Sequence, residues 1–396
     1  MWTDPAALLA GPRGRRLCWA LLEDQLPPSF RVSVWRGGAG GDPDRAVPVL
    51  DRALESADLA GLRATAEPTA FLPALADAVG AAMYWQPPDE TDQLLADRAV
   101  SDALFPVAAA VAAAPGAVWW GEPLARDEQY EVDFTGVRGS VDRSQDVVRL
   151  GTIAPGPDAG GPDPSRQGAA PVPVACARVP LERWRAATLA DEAAAATRPA
   201  DPQANWTGFW WSTPGCPGIP SSTRGLGAGG PVGLTLVEDD PGSASARCRR
   251  LRPHPAARVF EINRPEDFAE LVRRHPLPVP RSRRHDWWRT TGQNCDWAIP
   301  DYLAVAEEYD AVHLSALGYL STAGRALPLG RVVPLGRRSR AGRPSPPDAP
   351  GPPGRNARLA HPFRIPRTSA LTAPDLLGFP SQPTRPRRCS PAGTPI

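Results

Sequence analysis

The chain has 396 residues, 42% of them apolar and 13 of them Trp, ample for globular cores; its longest apolar stretch, Ala103 to Ala114, is interrupted by Pro106 and too short to span a bilayer. All 44 basic residues are Arg, and with 50 Pro and 36 Gly this composition reflects GC-rich codons, so arginine density alone is no sign of phosphate binding. The net charge of +1 divides after Gly330 into an acidic body at −9, which lacks the footprint of a general nucleic-acid binder, and a basic tail carrying 12 Arg against 2 Asp.

In chain order, residues 1–153 read as an N-terminal mixed α/β domain. Arg31–Trp35 has strand composition and ends at a glycine-rich turn, Gly37–Gly41. Leu72, Leu75, Val79 and Met83 recur at helical spacing. Ser101-Asp102 is positioned to cap an alanine-rich helix that stops at Pro115-Gly116, and Val118, Trp120, Tyr130, Val132 and Phe134 suggest two strands after it. Residues 154–173 are rich in Pro, Gly and Ala and read as a linker or long loop.

Residues 174–330 read as a C-terminal α+β domain. A helix is expected from near Pro180, with Leu181, Trp184 and Thr188 on one face. Gly225-Leu-Gly227-Ala-Gly-Gly230 matches the spacing of a dinucleotide fingerprint, but Pro and Gly precede it and Pro231, Val232, Leu234 and Leu236 follow with strand-like alternation. A glycine loop entering a strand is therefore expected, without the helix N-terminus that a pyrophosphate needs. Farther on, Arg258–Ile262 reads as a strand, Asn263-Arg-Pro265 as the start of a helix with Phe268, Leu271 and Val272 on its apolar face, and Arg281–Arg289 as a Trp-rich loop. Pro300-Asp301 then starts a second helix through Tyr302, Val305, Ala306 and Tyr309, and Ala311–Leu314 reads as a second strand. The fold class expected is thus α+β, with mixed sheets and packed helices in two lobes. Residues 331–396, with 15 Pro and neither Trp, Tyr nor Glu, are expected to form a disordered Arg/Pro-rich tail or to be the product of a frameshift.

Six cysteines at 18, 176, 216, 248, 295 and 389 lack the paired spacing of a zinc site, so no metal is expected. No charged segment followed by an apolar run opens the chain, and a cytoplasmic protein with reduced thiols is the expectation.

Phe260 to Leu329, with Trp206–Pro214 and Val232–Asp240, resembles a group of proteins from high-GC Gram-positive bacteria for which no activity is established. That resemblance implies a Gly-Trp-Asp-Pro-Asp element ending in Trp-Leu soon after Leu329, which is missing here, as a frameshift would cause. Tyr309–His313 is also similar to a stretch of ADP-ribosyltransferase-like toxins in which a final strand helps to build the NAD cleft. This second likeness implies an Arg or His on one strand, a Ser-Thr-Ser or Tyr element on another and a late catalytic Glu; the chain has Ser222-Thr223-Arg224 and Glu261 but no late Glu-x-Glu.

Two sets of residues carry the candidate chemistry. Arg281, Arg283, Arg284, His285 and Arg289 surround Trp287 and Trp288, and guanidinium groups beside indoles can clamp phosphates and stack on rings; the alternative is that both Trp pack beneath a loop. His313, with Asp310 three residues before it and Ser315 on its face, is a candidate general base, set against a structural histidine; Glu261 is a cleft carboxylate or a solvated one. Two function classes follow. The first is an interaction or accessory module that recognises a protein partner through Trp-rich surfaces and has no active site. The second is a nucleotide-handling enzyme, of NAD-dependent transferase type, built around Arg224, Glu261, His285 and His313. Cofactor, substrate and oligomeric state lie beyond the sequence.

Overall fold

The computed structural model describes residues 4–26, 42–82, 84, 86–134, 147–149, 174–208, 210–215, 219, 221–238, 245–330 and 358–360. The expected strand at 31–35, its turn at 37–41, the 154–173 linker and the tail other than 358–360 lie outside these residues.

Among the described residues, the first third of the chain is helical, with α1 (Pro5–Ala10), α2 (Pro12–Glu23), α3 (Pro43–Ser56), α4 (Leu59–Ala64), α5 (Leu72–Gly80), α6 (Glu90–Leu95), α7 (Arg98–Ala103) and α8 (Phe105–Ala113). Their starts share one grammar: the carboxylates of Asp4, Asp42, Asp58, Asp89 and Asp97 accept main-chain N–H groups of α1, α3, α4, α6 and α7. Ser101-Asp102, expected to cap the alanine-rich helix, lie instead inside α7, and that helix, α8, starts after Leu104 without a side-chain cap. Helix α5 forms where the periodicity placed it, burying Leu72, Leu75 and Val79. Helix α8 is apolar on most sides and runs through the middle of the cluster.

Residues 115–121 form a 3₁₀ turn rather than a strand, because Trp119 and Trp120 both turn inward. A strand follows at β1 (Gln129–Asp133), in an antiparallel sheet of order β2-β4-β1-β3 with β2 (Val147–Arg149), β3 (Thr223–Arg224) and β4 (Ser245–Leu251). The glycine-rich segment supplies only the two residues of β3 upstream. Downstream, residues 227–229 and 232–234 form 3₁₀ turns instead of the expected strand, with Gly227 and Gly230 at positive φ. Neither side offers the strand-to-helix geometry of a dinucleotide site.

Helix α9 (Val174–Ala194) begins before Pro180 and buries Leu181 and Thr188. Next come β5 (Val259–Ile262), α10 (Pro265–Arg274), β6 (Pro276–Pro278), α11 (Arg284–Thr291), β7 (Asp296–Pro300), α12 (Tyr302–Glu308), β8 (Ala311–Leu314), α13 (Ala316–Thr322) and β9 (Leu327–Pro328). The Trp-rich loop is thus largely a helix, α11. Strands β5 and β8 pair in parallel, while β6, β7 and β9 share a sheet with β10 (Arg358–Ala360), the one described stretch of the tail, which runs between β7 and β9. The architecture is α+β.

Three apolar clusters hold it together. One buries the N-terminal helices and also takes in Leu317, Tyr319 and Leu320 of α13. A second joins Ile262, Phe268, Leu271, Val272, Val305 and Leu327. The third sets Trp287 edge-on to Trp297 beside Leu277 and Ile299. Helix α13 lies so close to β5 that a Cβ on Gly318 would sit 2.2 Å from the Ile262 carbonyl oxygen, which only glycine permits.

Candidate functional site

Parallel pairing of β5 and β8 sets Glu261 directly opposite His313. Their side chains meet, His313 Nδ1 lying 2.5 Å from Glu261 Oε2, and the second carboxylate oxygen accepts the Leu124 N–H at 3.1 Å. Burial by itself would raise the Glu261 carboxyl; the hydrogen bond and charge of His313, with the Leu124 N–H, outweigh it and hold the group below its ordinary value. Glu261 rather than Asp310 is therefore the partner of His313. Asp310 is taken by Arg258, accepting its main-chain N–H at 2.8 Å and its guanidinium at 3.1 Å. Ser315 caps α13 through a hydrogen bond from the Gly318 N–H at 3.0 Å, so its hydroxyl is occupied in structure.

The residues around the Trp pair hold the chain to itself. Trp287 is fully buried, donates to the Trp210 carbonyl at 2.7 Å and meets Trp297 edge-on at 5.1 Å, while Trp288 is half-buried. Arg283 is buried against Asp191, and Arg284 donates to the Pro199 carbonyl at 2.7 Å. His285 is buried with Nε2 3.1 Å from that same carbonyl; burial, then the charge of Arg284, push its pKa down. Asp286 accepts from Thr207 Oγ1 at 2.9 Å, from the Gly208 N–H at 3.1 Å and from Arg289 at 3.0 Å. Together these bonds fasten α11 to residues 191–208.

Arg224 lies elsewhere, donating to the Trp119 carbonyl at 3.2 Å, pairing with Glu122 at 2.7 Å and stacking over the Trp119 ring. Of the four residues grouped for nucleotide handling, only Glu261 and His313 touch. Among the described residues, no group of three or more His, Cys, Asp or Glu could hold a metal ion.

A different place combines volume with charge. A cleft of about 910 Å³ opens where α2, the end of α5 and residues 84–96 face the end of α11 and the turn at 324–326. Pro12, Tyr84, Pro87 and Pro88 line it on one side, and Thr290 ties the two sides by donating to the Tyr84 carbonyl at 2.9 Å. Behind it runs a buried polar network: Arg13 pairs with Asp92 and donates to the Ala78 carbonyl at 2.9 Å, while the Tyr84 hydroxyl lies 3.2 Å from that of Tyr319, which donates to Glu238.

The arginines of the cleft are not equivalent. Arg13 has Asp92, and Arg16 has Asp89 at 3.0 Å, Asp92 at 3.5 Å and Asp77 at 3.9 Å. Arg15 and Arg325 have no ion-pair partner among the described residues; they donate to the carbonyls of Leu9 and Ser321, each at 2.9 Å. Burial is the main cause that lowers the pKa of both; the charges of Arg13 and Arg325 lower that of Arg15 further against the pull of Asp92, while Glu266 works against the burial of Arg325. An arginine remains protonated even so, and an anion bound beside it would relieve the repulsion.

The cleft arginines were missed by the sequence reading. The signal that marks them is Arg13, Arg15 and Arg16 within four residues at the head of a helix that continues Leu-Cys-Trp-Ala-Leu-Leu, so that charges must share its buried side. Compared with protein-family models, with curated proteins and with solved structures, the chain matches none.

Proposed function

We propose that the protein works by binding, as an accessory or interaction module that holds a small ligand in the cleft between its N-terminal helices and the α11 and 324–326 segments. The observation that carries this reading is the cleft itself, whose volume falls in the range of small-molecule sites and whose walls are braced by buried polar pairs. Its lining hydroxyls are engaged in the structure, Thr290 and Thr291 with the carbonyls of Tyr84 and Trp287 and the Tyr84 hydroxyl with that of Tyr319. Most described tryptophans are buried or half-buried, Trp206 being exposed at 41%, so a protein partner would meet a surface shaped by the ligand-bound cleft more than a Trp-rich face. A cytoplasmic setting suits the free Cys18, Cys248 and Cys295, the acidic body argues against nucleic acid as the partner, and no described helix is long and apolar enough to cross a membrane.

Thermal unfolding of the full chain against a panel of neutral, cationic and anionic small molecules tests this reading. Gly80 lines the cleft, and a Cβ there would meet open space, so Gly80→Phe fills the site without displacing backbone. At least one compound should raise Tm progressively, with the logarithm of its concentration above Kd, and Gly80→Phe should abolish that rise. A panel with no effect, or effects that survive Gly80→Phe, would remove the proposal.

A second reading, a nucleotide-handling enzyme of ADP-ribosyltransferase type, draws support from the 2.5 Å contact of Glu261 with His313, since a carboxylate orienting an imidazole is half of a general-base apparatus. Release of nicotinamide from NAD by the full chain, lost in Glu261→Gln, is the result it requires.

A further inference from the structure

We infer that the ligand of the cleft is a phosphate monoester, its phosphate seated between Arg15 and Arg325 and its organic body against the wall of Pro12, Tyr84 and Pro87. This rests on the reading of the cleft as a ligand site and adds the chemistry of what it holds.

The argument is one of local charge. Within the lining, Asp92 lies against both Arg13 and Arg16, and Asp89 and Asp77 lie against Arg16. Arg15 and Arg325 have no carboxylate at ion-pair distance among the described residues, Asp92 and Glu266 acting on them only from farther away. A phosphate monoester carries about −1.5 to −2 near neutral pH and offers three terminal oxygens, matching two guanidinium forks that approach from different elements. A carboxylate supplies half that charge and only two oxygens. A polyphosphate supplies excess charge and would bring it towards Asp77 and Asp89, whose side chains are about half exposed. The volume exceeds what a bare phosphate needs, and the proline and tyrosine surfaces give an organic group somewhere to lie.

Isothermal titration of the full chain with phenyl phosphate, benzoate, phenol and inorganic phosphate at pH 7.5 tests the inference. Phenyl phosphate should bind at least tenfold more tightly than the other three. Arg15→Gln and Arg325→Gln should each weaken it tenfold or more, Gly80→Phe should abolish it, and Arg45→Gln, an exposed arginine on α3, should leave it unchanged. Circular dichroism confirms folding of each variant; if Arg15→Gln does not fold, Arg15→Lys, which keeps the charge but loses the fork, takes its place with an expected weakening in the same direction. Phenyl phosphate binding that ignores both arginine substitutions, or that is no tighter than phenol or benzoate, overturns the inference. If such binding still disappears in Gly80→Phe, or a neutral panel compound binds where phenyl phosphate does not, the cleft remains a ligand site and only the phosphate assignment falls. No binding by any compound removes both.

Discussion

Replacing Asp92 by Asn leaves the charge of Arg13 alone in the interior. Arg13 is 3% exposed and Asp92 5%, and beyond the carboxylate the guanidinium has, among the described residues, only the Ala78 carbonyl. Burial works against the charged guanidinium, but Asp92, with Tyr84 and Tyr319, more than compensates, so its pKa lies above the ordinary value while the pair is intact. An amide of the same shape removes that compensation without removing the burial. Breaking a buried ion pair from one side costs about 3–5 kcal/mol, against about 0–1 for a surface pair. For a unit of this size that corresponds to a fall in Tm on the order of 10 °C. The cost belongs to the uncompensated charge, so Arg13→Met combined with Asp92→Leu should return to within about 1 kcal/mol of the parent chain. Urea unfolding of the parent, Arg13→Met, Asp92→Leu and the double variant measures the four corners of that cycle, with Asp92→Asn run beside them. A loss below about 1 kcal/mol for Asp92→Asn, or a double variant as unstable as the singles, would show that the pair is solvated and that the wall of the cleft is not built as argued.

Trp287→Ala should cost about 3–5 kcal/mol by urea unfolding, because a fully buried indole set edge-on to Trp297 leaves a cavity and frees the Trp210 carbonyl; a small effect would mean that α11 does not pack as described. Ser315→Ala removes the cap of α13 and should cost about 1 kcal/mol, whereas Ser315→Asp, which can still accept the Gly318 N–H, should recover part of it. The Glu261 carboxyl, held below its ordinary value near 4.5, contributes stability that is complete above that pH and fades as the pH falls through its depressed folded value. Unfolding followed from pH 6 downwards should therefore show a shallower acid decline in Glu261→Gln than in the parent, and parallel declines would sever the link to His313.

Elements whose signals are local were legible. The stretch from Val259 to Arg274 announced itself because strand composition, an early proline and an apolar face at helical spacing fall within sixteen residues. Helix α12 followed the same rule. Misreadings arose where long-range partners decide the outcome. Helix α11 buries His285, Asp286 and Trp287, and its polar members are satisfied by Pro199, Thr207 and Gly208, so it has no clean apolar face from which to be recognised. Residues 118–120 show the opposite error in miniature: Val118 and Trp120 alternate over too few residues to distinguish a strand from the 3₁₀ turn that is present.

The pairing of Glu261 with His313 needed the parallel register of β5 and β8, which strand composition does not encode. Arginine in the cleft was hidden twice. Arg15 and Arg325 come from opposite ends of the described body, and each sits among codon-driven arginines that look the same in the sequence. What marks them is that each lines the cleft with no carboxylate at ion-pair distance among the described residues, a property of three dimensions.

Helix α13 has a consequence for the order in which the molecule can assemble during synthesis. The helices of residues 5–113 leave the ribosome first, yet their core is closed by Leu317, Tyr319 and Leu320, roughly two hundred residues later. At ribosomal speeds of about 5–20 residues per second, that delay is on the order of ten seconds or more, with apolar surface waiting for its lid. The same helix is seated on β5 through Gly318, so it can dock only after the strand has formed. Nascent chains arrested before and after residue 323 should accordingly differ sharply in protease resistance within α1, α2 and α8, although those helices are complete in both.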